Sequence, residues 1–138
     1  MKKVMVFGTF DIVHLGHISF FKQARKYGDY LIVVVGRDKT VKKIKGRPPK
    51  HSEKIRFKKI KKVKLIDKVI LGYLKNPYKI IQKYKPDIIC LGYDQNSFVG
   101  GLLGALKRYK IKSKILRLKP FKSEIYKSSK LSRLFKKY

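Results

Sequence analysis

The apolar positions fall into short blocks whose spacing alternates between two habits. Residues 3–7 and 29–36 each hold a near-continuous apolar run, the second containing Leu-Ile-Val-Val-Val, with none of the alternation of a half-exposed strand. Unbroken β-branched runs of that length predict strands covered on both faces, as in a parallel sheet. Residues 68–71 and 87–91 read as third and fourth strands, and 114–118 as an edge strand. Between the strands the period changes. Phe20, Phe21, Ala24 and Tyr27 share one face of a helix predicted over 17–27, with Gly28 suited to the position after its end. Ser52 can cap a second helix, where a thin stripe of Ile55, Ile60 and Val63 among lysines predicts a surface position. Pro77 opens a short helix through 84, and 102–109 and 129–135 also read as helices. Residues 39–49, basic and closed by Gly46 and two prolines, read as a loop.

Strand and helix alternating at this spacing predict right-handed βαβ units. The fold class expected is α/β: one domain over 1–138, a doubly wound open parallel sheet of about five strands with helices on both faces. Ligands of such sheets gather beyond the carboxyl ends of the strands, where strand order switches. The chemistry is therefore sought in 8–17, 36–50, 92–101 and 119–129.

Composition narrows the class. A chain of 138 residues with 43% apolar side chains suits one folded domain and not a disordered one. No apolar run approaches the roughly 20 residues of a membrane span, and the N-terminus lacks the features of a secretion signal. One cysteine, Cys90, excludes an internal disulfide framework and reads as a small core residue, so the expected location is cytoplasmic. Charge is the unusual quantity: 37 basic against eight acidic residues give +29. That predicts attraction to polyanions. Thirty of the basic residues are lysines and seven arginines, whereas base-edge reading favours arginine. Charge alone leaves nucleic acid, a membrane surface and a phosphorylated small molecule all open.

The loop Gly8-Thr-Phe-Asp-Ile-Val-His-Leu-Gly-His17 leaves the first strand and enters the first helix. Gly8 is expected to let the backbone turn and approach a ligand, and the helix start offers free N–H groups to a phosphate. His14 and His17, three residues apart, would share one face, with no side chain at Gly16 to block it. Two imidazoles there can donate to a phosphate whose charge rises in a transition state. A metal pair and two structural histidines are the alternatives, although no third ligand stands nearby. Neither the dinucleotide fingerprint nor the P-loop pattern is present.

This block resembles the His-x-Gly-His signature of the cytidylyltransferase-like nucleotidyltransferases, a Rossmann-like family. The likeness continues through 28–33, through Val41-Lys-Lys-Ile-Lys-Gly-Arg-Pro-Pro49 and through Gly92-Tyr-Asp-Gln95. Lys-Gly-Arg-Pro-Pro and Leu-Gly-Tyr-Asp-Gln are most similar to the small archaeal-type FAD synthases, which are FMN adenylyltransferases. Glycerol-3-phosphate cytidylyltransferases share the opening but carry Asp-Asp-Trp in place of Tyr93-Asp94-Gln95, and an Arg-Thr-Glu-Gly motif that residues 122–129 do not match.

The resemblance implies transfer of a nucleoside monophosphate to a phosphorylated acceptor with release of pyrophosphate, with ATP and FMN giving FAD. CTP with a phospho-alcohol is the alternative within the class. A non-catalytic basic module for nucleic acid or anionic lipid is the alternative outside it. By resemblance His14, His17, Lys42 and Lys45 are catalytic, with Lys43 able to take the place of Lys42. Gly8, Thr9, Phe10, Asp94, Ser128 and Ser129 join the histidines in binding nucleotide, and Asp11 and Lys45 serve the acceptor. Mg²⁺ accompanying the triphosphate, a homodimer and no dedicated metal ligands complete the expectation. By the same resemblance Glu53 and Arg56 form a helix-start pair common in the family, with a surface ion pair as the alternative.

Overall fold

The computed structural model describes residues 1–93, 95–96 and 99–120. The expected helix at 129–135, together with Asp94, Ser128 and Ser129, lies outside them. Strands β1 (Lys3–Gly8), β2 (Tyr30–Val35), β3 (Lys68–Leu71), β4 (Ile88–Leu91) and β5 (Lys114–Arg117) form one sheet in the order β3-β2-β1-β4-β5. Every pairing is parallel. Helices α1 (Leu15–Arg25), α2 (Asp38–Lys45), α3 (Glu53–Lys61), α4 (Lys79–Tyr84) and α5 (Val99–Arg108) connect them.

The pleat sorts the apolar runs into two layers. Val4, Val6, Val33 and Cys90 turn to one face, where Ile18 and Phe21 of α1 and Ile60 of α3 cover them. Met5, Ile32, Val34 and Ile89 turn to the other, under Ile80 and Ile81 of α4 and Leu102 of α5. With both faces covered, no position on β1, β2 or β4 needs to be polar, which explains the missing alternation. The edges are short and carry Lys68, Lys114 and Arg117 outward, which discourages pairing with another sheet.

Aspartates fix the starts of the strands. Asp29, Asp67 and Asp87 accept the backbone N–H groups of Lys2, Leu31 and Lys3. Each one ties the entry of its strand to a neighbouring strand.

Two sequence expectations are corrected. Residues 38–45 are helix α2, not loop. Val41 packs inward, the Asp38 carboxylate lies at the N-terminus, lysines fill the last turn and Gly46 ends the helix in the left-handed region at φ 77°. Lysine density hid this short amphipathic turn. In α3, Arg56 and not Ile55 faces the interior: Arg56 is 0% exposed and Ile55 is exposed. That helix is therefore anchored by a buried guanidinium as well as by Ile60 and Val63.

Candidate active site

A cleft of about 1080 Å³ opens at the carboxyl ends of the strands. Its floor includes Gly8, Gly36, Gly72 and Gly92, the residues that close or directly follow β1, β2, β3 and β4. That floor spans the β1/β4 switch point, where strand order reverses.

From the end of β1 rises a column of rings. Phe10 adopts φ 52°, a conformation costing about 1–3 kcal/mol for a residue with a Cβ. This folds its ring back over Gly8, where an added Cβ would lie 2.4 Å from the ring. Gly8 is thus required by the ring above it, and its own backbone is ordinary extended strand. His17 stands edge-on to Phe10 with ring centroids 5.3 Å apart, and His14 stacks on His17 at 3.9 Å and 22°. Phe10 is 5% exposed, so its side chain supports the column from below.

The histidines also cap α1, which starts at Leu15 with His14 as N-cap. Nδ1 of His14 accepts the Gly16 N–H at 3.0 Å, and Nδ1 of His17 accepts the His14 N–H at 3.3 Å. A nitrogen accepting an amide N–H carries no proton, so the proton of each neutral ring sits on Nε2. Burial, then the neighbouring His14 and Lys45 charges, push His17 down to about 4, against the Ile12 backbone. His17 is therefore a neutral Nε2–H donor near pH 7.

A second set of residues holds the loop in place. The Arg56 guanidinium donates to the Thr9 carbonyl at 2.8 Å, the His51 carbonyl at 3.0 Å and Asp38 Oδ1 at 2.7 Å. It is paired with Asp38, not with Glu53, and it is not at the surface. Glu53 instead receives Arg37 Nε at 2.9 Å and the Asp38 N–H at 2.9 Å, while Asp38 Oδ2 receives the Glu53 N–H. The two helix starts thus cap each other. Asp11 accepts the Lys50 and His51 N–H groups. Burial raises the Asp11 carboxyl, but those two donors, with the His51 and Arg56 charges, outweigh it and hold it below the usual carboxylate range. On the far side, Gln95 joins the Phe7 carbonyl to the Gly92 N–H, and Arg117 Nη1 donates to the carbonyls of Gly92, Tyr93 and Gln95.

The structure brings Gly8, Thr9, Phe10, Asp11, His14, His17 and Lys45 together on the cleft wall. Lys42 and Lys43 are exposed and lie outside the described lining. Arg37, Lys50 and Lys119 line the cleft and were missed by sequence reasoning, as was Arg117, while Arg56 and Gln95 were singled out in the sequence without the contacts they make here. Most of their partners lie 16 to 96 residues away, although His51 is five residues from Arg56 and Gly92 three from Gln95.

All six acids of the described residues receive a backbone N–H: Asp11, Asp29, Asp38, Glu53, Asp67 and Asp87. No cluster of three or more His, Cys, Asp or Glu stands ready for a metal among those residues.

A parallel sheet whose switch point carries a phosphate-sized donor pair at a helix start defines a nucleotide-handling enzyme, and the comparisons agree. The Cytidylyltransferase-like family profile matches residues 5–133, and the chain belongs to that family. It is a nucleotidyltransferase. It is 41% identical to the FAD synthase of Thermococcus sibiricus over 94% of this chain and 88% of that one. It is 43% identical to the FAD synthase of Ferroglobus placidus over 86% and 77%. A crystal structure of a lipopolysaccharide core biosynthesis protein from Thermoplasma volcanium superposes with TM-score 0.82 at 40% identity, covering 88% of this chain and 99% of that one. No helix of the described residues is long and apolar enough to cross a membrane.

Proposed function

We propose that this enzyme transfers AMP from ATP to FMN, giving FAD and pyrophosphate. The observation that carries the reading is the stacked His14–His17 pair, anchored through Nδ1 at the start of α1 on the cleft wall. The names borne by relatives about 40% identical over most of the chain support FMN as acceptor. In the reaction a phosphate oxygen of FMN attacks the α-phosphorus of ATP. The new O–P bond forms as the bond to the β-phosphate bridging oxygen breaks, and the electron pair leaves with pyrophosphate. No covalent enzyme intermediate is needed, so the protein contributes alignment and charge stabilisation.

His14 and His17 donate to the α-phosphoryl oxygens, and the first turn of α1 receives the phosphates. Lys45, on the last turn of α2, meets the charge of both substrates. Asp11 acts by position: latched to Lys50 and His51, it holds the acceptor side of the loop. Lys42, Asp94, Ser128 and Ser129 belong to the same reading through the family motif alone. Asp11 is the single carboxylate among the described cleft residues, and both its oxygens already accept N–H groups. These residues fit a Mg²⁺ carried in by triphosphate oxygens and water, not a protein cage. When bound, the ion neutralises charge on the triphosphate. A cytoplasmic homodimer belongs to this proposal, because ATP and FMN are intracellular substrates and the resembled enzymes pair; light scattering tests the dimer.

The test is turnover of α-labelled ATP or CTP with FMN or glycerol 3-phosphate, read as labelled product and pyrophosphate. FAD formed from ATP is the expected result. Activity with CTP alone would replace FMN by a phospho-alcohol. Salt-sensitive RNA binding without pyrophosphate release would replace the enzyme by a binding module.

A further inference from the structure

We infer that Ile12 and Ile44 form an apolar rest for the ring system of the acceptor, so that the site selects a planar aromatic phosphate ester over a small phospho-alcohol. This deepens the FMN reading and rests on it.

Single exposed isoleucines are ordinary on protein surfaces. These two differ in place and support. Both line the catalytic cleft while remaining 51% and 56% exposed. Neither lies on a loose segment. Ile12 follows Asp11, whose carboxylate is fastened to the Lys50 and His51 amides. Ile44 lies on the same helical face as Val41, which packs near the end of β2 beside Gly36. One turn further along, that face has run past the core and Ile44 remains uncovered. The helix itself is fixed through Asp38 to the buried Arg56.

The same cleft is lined by Lys45, which follows Ile44 in the chain, and by Lys50, whose N–H is bound by Asp11, the residue before Ile12. Methyl-bearing side chains on pinned backbone, in a cleft with two ammonium groups, match a ligand with one flat apolar part and one phosphate. A glycerol phosphate would fill the cationic part and leave both isoleucines in water. An isoalloxazine ring bearing a ribityl phosphate uses both.

Steady-state kinetics on the full chain tests this, with Ile12→Ser, Ile44→Ser and the conservative Ile44→Leu. Each serine variant should raise KM for FMN about tenfold, equivalent to ~1.4 kcal/mol. KM for ATP should stay within about twofold and Ile44→Leu should restore the wild-type value. Riboflavin, which has the ring but no phosphate, should compete with FMN in the wild type and do so about tenfold more weakly in the serine variants. If the wild type makes FAD but neither serine variant moves KM for FMN, the rest is refuted and the FMN assignment stands. A parallel rise in KM for ATP also refutes it, since that reports general distortion. If the wild type makes no FAD from FMN, both readings fall together.

Discussion

Gly8→Ala tests the ring column at its base. The added methyl would sit 2.4, 2.7 and 2.8 Å from three ring carbons of Phe10, where carbon atoms normally rest about 3.5–4.0 Å apart. The ring must therefore retreat by about 1 Å. It cannot do so freely, because Phe10 is buried, strained at φ 52°, and pressed between Gly8, His17 and Phe21. Overpacking of this kind costs about 1–3 kcal/mol. The displaced ring pushes on His17, and a misplacement near 1 Å at a reacting group lowers turnover about 100-fold. Phe10→Ala removes the clash while itself costing about 3–5 kcal/mol as a cavity. In the double variant the alanine at 8 should cost almost nothing. Urea unfolding of the four proteins should thus give a coupling energy of at least about 1 kcal/mol, with turnover measured alongside. Additivity within about 0.5 kcal/mol, or a Gly8→Ala enzyme with wild-type turnover, would refute the column as a mechanical unit.

Four further outcomes are expected. His14→Ser keeps a good helix cap and removes the Nε2–H, so stability by urea unfolding should hold or rise while turnover drops by orders of magnitude; equal turnover would remove His14 from the chemistry. His17 titrates near 4 in the fold and near 6.5 unfolded, so the unfolded chain binds the extra proton between those values. Its contribution should be complete above 6.5 and lost as pH falls toward 4, and His17→Gln should flatten that stretch of the stability curve. Arg56→Lys cannot reach the Thr9 and His51 carbonyls and Asp38 together, and should cost about 2–4 kcal/mol in unfolding experiments. With a net charge of +29, kcat/KM for ATP should fall steeply between low salt and about 0.3 M, while kcat moves little; a flat salt response would exclude steering.

The strands and the histidine pair were legible in the sequence for a physical reason. Burial on both faces writes itself locally as Leu-Ile-Val-Val-Val, and a helix start after a strand confines His14 and His17 to adjacent turns. Helix α2 was hidden because only Val41 of its eight residues is buried, so no apolar period survives in Asp-Lys-Thr-Val-Lys-Lys-Ile-Lys. Arg56 fitted a surface ion pair with Glu53 equally well in a lysine-rich helix. What distinguishes it is the arrival of Thr9, Asp38 and His51 from three separate segments, and no window of sequence contains that meeting. Gly8 was assigned a role in its own backbone, whereas the demand comes from a ring two residues on that turns back through a positive φ.

The few acidic residues share one use in the structure. Among the described residues, the acids that remain are those whose oxygens fasten one stretch of main chain to another; none is left over as surface ornament. The two signs of charge are consequently unequal in what they can lose. Exchanging an outward lysine for glutamine should pass almost unnoticed, whereas amidating any one of these six carboxylates loosens a joint of the scaffold.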